Sequence, residues 1–126
     1  MRWKRKGKIP FPAIEAANIS KADLPTEERI DFWVKTAIGV KDDPSCIFIK
    51  VHTHGALEQN YDVLLGEQGY RMHKILQEKY NDGKNYRLHY VSARQLYNIV
   101  KALEQGEKGN AYDYRDYLID KPRYLS

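Results

Sequence analysis

The segment Ile47–Gly55 constrains the fold more than any other part of the chain, because it joins a strong strand pattern to two closely spaced histidines. Apolar, β-branched and aromatic residues lead into His52 and His54 and stop at a glycine, as in a buried strand that ends in a loop. Side chains alternate along a strand, so Phe48, Lys50 and the two histidines share one face, while the other face is apolar apart from a threonine. We therefore predict a strand that packs on one side and meets water, a ligand or partner groups on the other.

The overall composition is that of a single soluble domain. The 126 residues suffice for one domain that buries about two-thirds of its unfolded surface, and the hydrophobic and charged fractions are 42% and 30%. No apolar run approaches the ~20 residues that span a bilayer, and the N-terminus lacks the apolar centre of a signal peptide. We expect no membrane segment and, by default, a cytoplasmic location. The single cysteine, Cys46, is interpreted as a small core residue.

The net charge of +4 is concentrated near the N-terminus. A nucleic-acid interface would interleave aromatic residues with basic ones over a larger surface, whereas only Trp3 accompanies this cluster. We therefore interpret the cluster as a solvated tail or edge strand and expect no nucleic-acid partner. Its five basic residues are Arg2, Lys4, Arg5, Lys6 and Lys8.

Three regions follow from the pattern of residues along the chain. Residues 1–22 contain proline and glycine without a sustained period, which predicts extended segments and turns. Residues 23–106 form the body. Residues 107–126 form a tail that is expected to dock through its aromatic rings, which are those of Tyr112, Tyr114, Tyr117 and Tyr124.

The body alternates helix and strand patterns. Asp23 to Thr26 open a first helix that Gly39 is expected to close, and Glu67 to about Tyr80 form a second. Ser92 and Gln95 have the spacing of a capping box at the start of a third, which Gly106 ends. The predicted strands are Cys46–His52 and Tyr86–Val91.

Two strands joined by a helix form a βαβ unit, whose strands are parallel and whose crossover is right-handed. We therefore predict an α/β fold, either a partial (β/α) barrel-like structure or a small parallel sheet with flanking helices. Two strands cannot close a barrel, so the structure would be incomplete in that sense. An open sheet edge would favour pairing with another copy or with a partner.

Parallel strands end at one edge of a sheet, which is where α/β proteins place their sites. Arg87 and His89 share a face of the second strand and could join the polar face of the first. The predicted site therefore contains Lys50, His52, His54, Arg87 and His89.

Two kinds of ligand suit that group. His52, His54 and His89 could bind a divalent transition metal such as zinc, since imidazole is a good ligand and His-x-His at a strand end recurs in metal-dependent hydrolases. Against this, no carboxylate shares the face with Lys50 and Arg87, although Glu58 and Asp62 follow the first strand. The alternatives are an anionic sugar bound by Lys50, Arg87 and His89, or two histidines that only bond to the backbone.

Several stretches carry a family resemblance: Ile-Lys-Val-His-Thr-His-Gly-Ala (49–56), Leu-Gly (65–66), Tyr-Asn-Asp-Gly (80–83) and Leu-His-Tyr-Val-Ser-Ala-Arg-Gln-Leu-Tyr-Asn-Ile-Val-Lys-Ala (88–102). Over residues 25–118 the chain resembles the C-terminal part of bacterial proteins similar to polysaccharide deacetylases, the carbohydrate esterases with NodB homology. That family has a distorted (β/α) barrel and removes acetyl groups with a metal held by one aspartate and two histidines. The resemblance implies that His52 matches a histidine that lines the acetyl pocket and assists catalysis.

The family's Thr-Phe-Asp-Asp, His-x-x-x-His and Arg-x-Pro-Tyr motifs do not occur in this sequence. We therefore expect the chain to be the C-terminal portion of a larger carbohydrate hydrolase, or a truncated relative, that supplies a histidine wall without being self-sufficient. Two alternatives stay open. One is a complete small metal-dependent hydrolase that uses the three histidines, and the other is a non-catalytic carbohydrate-binding or assembly module that uses some of the ten tyrosines.

Overall fold

Helices and irregular segments make up most of the chain, which a computed structural model describes over residues 2–6, 9–54 and 57–121. Strand β1 (Arg2–Lys6) pairs antiparallel with β2 (Ile9–Ala13), and Lys6 lies opposite Ile9. This hairpin agrees with the extended structure expected at the N-terminus. The basic side chains of the first eight residues, the strand-ending Gly55 and Tyr124 of the tail lie outside what is described.

Helix α1 (Glu27–Thr36) begins where the sequence indicates and ends earlier. The Thr26 hydroxyl accepts a hydrogen bond from the Arg29 amide, and two glutamates in the first turn favour the positive end of the helix. The predicted end at Gly39 is wrong. Ala37 already adopts the left-handed conformation, with φ of 49°, and closes the helix through its amide bond to the Val34 oxygen.

Helices α2 (Tyr61–Leu65) and α3 (Glu67–Tyr80) meet at a tight junction. A Cβ at Gly69 would lie 2.2 Å from the backbone oxygen of Leu64, so only glycine permits this close approach. The predicted second helix is confirmed with the same bounds as α3. Each of α1 and α2 packs against α3.

Helix α4 (Ala93–Glu104) packs against a 3₁₀ helix in the tail, Ala111–Asp116. The predicted capping box is confirmed, because the Ser92 hydroxyl accepts from the Gln95 amide and the Gln95 side chain accepts from the Ser92 amide. The buried Asn98 side chain donates to the Arg115 oxygen at 2.6 Å and joins the two elements.

The hydrophobic core lies among α1, α2, α3 and the segment that precedes α1. Two further side chains pack on it from irregular segments, Ile49 from residues 46–54 and Leu88 from residues 84–91. No helix in the described ranges is long and apolar enough to cross a membrane. The buried residues of the core are Ile19, Ile30, Trp33, Val63, Met72 and Leu76.

The predicted α/β class is wrong, and so is the description of the chain as a truncated barrel. Neither Cys46–His52 nor Tyr86–Val91 forms a strand; over the described ranges the paired strands are β1 and β2, and they are antiparallel. Ile49 and Leu88 bury part of their surface directly on the helices, without a ladder between their segments. The predicted parallel strand ends are therefore absent from the described ranges, and they do not gather the polar residues at one edge.

Candidate functional site

The segment that carries the first two histidines is held by backbone hydrogen bonds to distant parts of the chain. The Phe48 amide donates to the Ile38 oxygen at 2.7 Å. At the other end, His52 donates to the Ala17 oxygen at 3.2 Å and accepts from the Ile19 amide at 2.8 Å, which makes a parallel bridge between His52 and Asn18. The histidine segment is thus fixed against residues 17–19.

Beside this bridge lies a cleft of about 340 Å³. The His54 side chain lines this cleft, and none of the described lining residues is an aspartate or a glutamate. Leu57 and Ala22 add apolar surface. The cleft is therefore polar and carries the positive charge of Lys21, and its complete described lining is Asn18, Ser20, Lys21, Ala22, His54, Leu57, Gln59 and Asn60.

Three carboxamide side chains line the cleft, and those of Asn18 and Asn60 have buried atoms. Asn60 is 2% exposed; its oxygen accepts from the Lys21 amide at 3.0 Å, and its nitrogen lies 3.5 Å from the Thr53 hydroxyl. Asn18 differs, because its side-chain oxygen is buried and has no hydrogen-bond partner among the described residues. The buried side-chain oxygen of Asn98, which does not line the cleft, is in the same situation, so this feature is not specific to the cleft.

A buried ion pair holds the backbone next to Asn18. The Arg29 guanidinium donates to the Glu15 carboxylate at 2.6 Å and to the backbone oxygen of Asn18 at 2.8 Å, and both charged side chains are almost fully buried. Burial alone raises the pKa of Glu15, but hydrogen bonds from Arg29 and Trp33 outweigh that effect and lower its pKa to about 2. The wall of the cleft at Asn18 therefore depends on an ionised Glu15.

Ala17 stores local strain at the same place. Its φ of 52° is in the left-handed region, which a residue with a Cβ seldom adopts. Two hydrogen bonds hold it there, since its amide donates to Glu15 at 2.9 Å and its oxygen accepts from His52. The strained residue thus links the ion pair to the histidine segment.

The structure brings together only part of the predicted site. The rings of His52 and His54 meet edge to face with centroids 5.6 Å apart. The His89 ring stacks on Tyr112 at 4.4 Å, and the Arg115 guanidinium lies 3.9 Å from the centre of the same tyrosine. Lys50 and Arg87 are exposed, and neither lines the cleft.

The three predicted metal ligands are accordingly not gathered. Over the residues that the structure describes, no three histidine, cysteine, aspartate or glutamate side chains are placed to hold one metal ion. The pair His52 and His54 could supply two imidazoles to a zinc-like ion, but His89 is engaged with Tyr112. Metal binding by this chain stays a prediction.

No pattern in the sequence pointed to the two asparagines. Asn18 falls in a segment expected only to be extended, and Asn60 in a short irregular piece after the histidines. Neither belongs to a motif, and only the burial of their side chains distinguishes them from surface asparagines. No protein-family model, curated protein or solved structure matches this chain.

Proposed function

We propose that the chain binds a carbohydrate in this cleft and forms the histidine wall of a deacetylase-like hydrolase site that another polypeptide segment completes. The observation that carries the proposal is the cleft itself, which Asn18, the buried Asn60 and His54 line together and whose described lining contains no carboxylate. Sugar hydroxyls can donate to an amide oxygen and accept from a carboxamide nitrogen or an imidazole.

The apolar lining supports a sugar over a small ion. A pyranose ring has a C–H face that needs apolar surface, and Leu57 and Ala22 offer it next to the polar groups. A cleft with one lysine and one histidine also tolerates a neutral or acidic sugar better than a cation. The family resemblance of residues 49–56 favours an acetylated sugar, since His52 would match the histidine of the acetyl pocket.

The proposed chemistry for the histidines is proton transfer and orientation. An imidazole can donate a proton to a reacting group or accept one from it, and the edge-to-face contact sets the angle between the rings of His52 and His54. Hydrolysis also needs an activated water, and the completing segment supplies the groups that activate it.

A titration followed by NMR tests the binding. An N-acetylated glucosamine oligomer is added to the labelled protein, and its fully deacetylated counterpart serves as a second ligand. We expect shifts of residues 18–22, 54 and 57–60, larger for the acetylated oligomer. His54→Ala should weaken binding by about tenfold, since one hydrogen bond to a ligand is worth roughly 1 kcal/mol or somewhat more. The matched control is His73→Ala, because His73 lies on α3 and contacts Tyr90 instead of the cleft.

The alternative of a tyrosine-based carbohydrate module predicts a different result. Tyr112 already stacks on His89 and lies against Arg115, so part of its ring is covered. Binding that is abolished by Tyr112→Ala and unaffected by His54→Ala would replace our proposal with that module. The absence of any shift around the cleft would contradict carbohydrate binding there.

A further inference from the structure

The histidine segment, residues 46–54, docks on the rest of the protein without a fully buried residue. Phe48 and Ile49 are among its half-buried residues, and Ile49 packs on the hydrophobic core. By contrast, Ile19 on the other side of the bridge is 2% exposed and belongs to the core itself. Separating the histidine segment from the body therefore exposes much less apolar surface than unfolding a helix does.

Three backbone hydrogen bonds hold the histidine segment to other described residues. The bridge beside Asn18 supplies two of them, and the Phe48 amide makes the third with the Ile38 oxygen. The side-chain contact between Thr53 and Asn60 is long, at 3.5 Å. The segment is thus attached at two points only a few residues apart, and both must break before it can leave the body.

The chain on the other side of the bridge is tied to the body by bonds of its own. The Arg29 guanidinium donates to the backbone oxygen of Asn18 at 2.8 Å, and the Lys21 amide donates to the buried Asn60 side chain at 3.0 Å. Neither bond involves the histidine segment. When the bridge breaks, the body therefore keeps Asn18 and its neighbours and separates from His52.

The left-handed backbone of Ala17 favours this separation. A residue with a Cβ is disfavoured at a φ of 52°, and one of the two hydrogen bonds that hold Ala17 there comes from the His52 amide. Once that bond breaks, Ala17 can return to an ordinary conformation. Docking of the histidine segment stores the strain, and separation releases it.

We propose that the histidine segment opens and closes as one unit, and that the strain at Ala17 sets how often it is open. Opening breaks the bridge and the Phe48 hydrogen bond together and leaves the helices packed. It also carries His52 and His54 away from the asparagines of the cleft. The complete cleft is therefore a property of the closed state alone.

A ligand that contacts both sides of the cleft should favour the closed state, because it binds only that state. Its observed affinity is its affinity for the closed state multiplied by the closed fraction. This consequence rests on the proposed binding of a carbohydrate. The opening itself does not, and it can be measured in the free protein.

Hydrogen exchange of the free, intact chain, followed by NMR, tests the opening. The amides of Ile19, Phe48 and His52 should show the same protection and the same dependence on a low concentration of urea, because one event exposes all three. Their protection should be at least about tenfold lower than that of Met72 and Leu76 in α3.

The Ile19 amide is the sharpest probe. Ile19 is buried in the core, yet the oxygen that accepts from its amide belongs to His52 and leaves with the histidine segment. Protection of Ile19 equal to that of α3 would overturn the proposal. Different protection at the Ile19, Phe48 and His52 amides would also overturn it.

Ala17→Gly tests the role of the strain. Glycine adopts this φ without strain, so the three amides should exchange more slowly by about threefold, after allowance for the greater freedom of glycine in the open state. The matched control is Ala37→Gly, because Ala37 has a φ of 49° but its bond to the Val34 oxygen lies within α1. The control should leave the exchange of these amides unchanged. Unchanged or faster exchange in Ala17→Gly, or equal effects of the two variants, would overturn this role.

An N-acetylated glucosamine oligomer at saturating concentration separates the opening from the proposed function. Shifts around the cleft together with slower exchange at Ile19 and His52 would support both. Shifts without slower exchange would overturn the link between closure and binding. No shifts, with exchange in the free chain as described above, would contradict carbohydrate binding alone.

Discussion

The guanidinium of Arg29 lies 2.8 Å from the backbone oxygen of Asn18, and this hydrogen bond joins the most buried ion pair among the described residues to the wall of the cleft. The same guanidinium also donates to the backbone oxygens of Asp23 and Leu24, each at 2.8 Å. The Arg29 side chain therefore holds the backbone at three points of the segment that precedes α1. The stability of the fold and the shape of the candidate site depend on the same residue.

Arg29→Met should destabilise the protein strongly. The variant removes the Arg29 member of the buried pair with Glu15, and loss of one member of such a pair typically costs about 3–5 kcal/mol. Urea denaturation measures the change in the free energy of unfolding. Lys74→Met is the control, since Lys74 pairs with Glu78 on an exposed helix face at 3.9 Å, and it should change stability by less than about 0.5 kcal/mol.

Acid should weaken the fold through Glu15. Its pKa falls from an ordinary 4.5 to about 2 on folding, so the unfolded chain binds this proton more readily than the folded chain does. The stabilisation is complete above pH 4.5 and is lost as the pH falls toward 2. Asp82, whose pKa is also lowered to about 2, contributes in the same direction.

Glu15→Gln should therefore lower stability near neutrality and reduce its dependence on pH between about 5 and 2. Thermal unfolding at a series of pH values measures both effects. The pH dependence of stability that remains in the variant should come from Asp82 and the other carboxylates. An unchanged slope in the variant would show that Glu15 titrates at its ordinary pKa and is not held by Arg29.

Zinc binding should distinguish between the histidines. If the chain binds zinc, we expect His52→Ala to weaken it by about tenfold or more, because one of two neighbouring imidazoles is lost. His89→Ala should leave the affinity unchanged, since that ring stacks on Tyr112. Calorimetric titration with zinc measures both variants. Equal losses of zinc affinity in the His52 and His89 variants would instead indicate that all three histidines gather around the ion.

Asp82→Ala should loosen the loop that leads into residues 86–91. The carboxylate accepts hydrogen bonds from the amides of Lys84, Asn85 and Tyr86 at 2.9–3.0 Å, and these bonds lower its pKa. We expect faster hydrogen exchange at those three amides, with α3 unaffected. Asp62→Ala is the control, because the Asp62 carboxylate accepts no hydrogen bond within the described part of the chain. Unchanged exchange at residues 84–86 would contradict this role for Asp82.

Local signals in the sequence predicted the helices well. The Ser92 and Gln95 pair specifies the start of α4 because both hydrogen bonds close within one turn. The end of α1 was misplaced because Ala37, which has a Cβ, adopts the left-handed conformation that usually falls to glycine.

Strand pairing and the cleft could not be predicted in the same way. Residues 46–52 have a strong strand pattern, but a strand needs a partner, and strand preference depends on context more than helix preference does. The positions of Asn18 and Asn60 follow from contacts between residues far apart in sequence, such as Lys21 with Asn60. The sequence showed that the histidines could be functional residues. Which residues surround each of them could be known only from the three-dimensional structure.

The tight junction at Gly69 bears on how the chain folds. Helices α2 and α3 are neighbours in sequence, as are α4 and the 3₁₀ helix that packs on it, so much of the helix packing joins segments with short loops between them. Structures rich in such contacts fold quickly, because little loop-closure entropy is lost before packing begins. We expect the α2–α3 hairpin to form early and the histidine segment to dock late. A larger side chain at Gly69 should then slow folding more than it speeds unfolding.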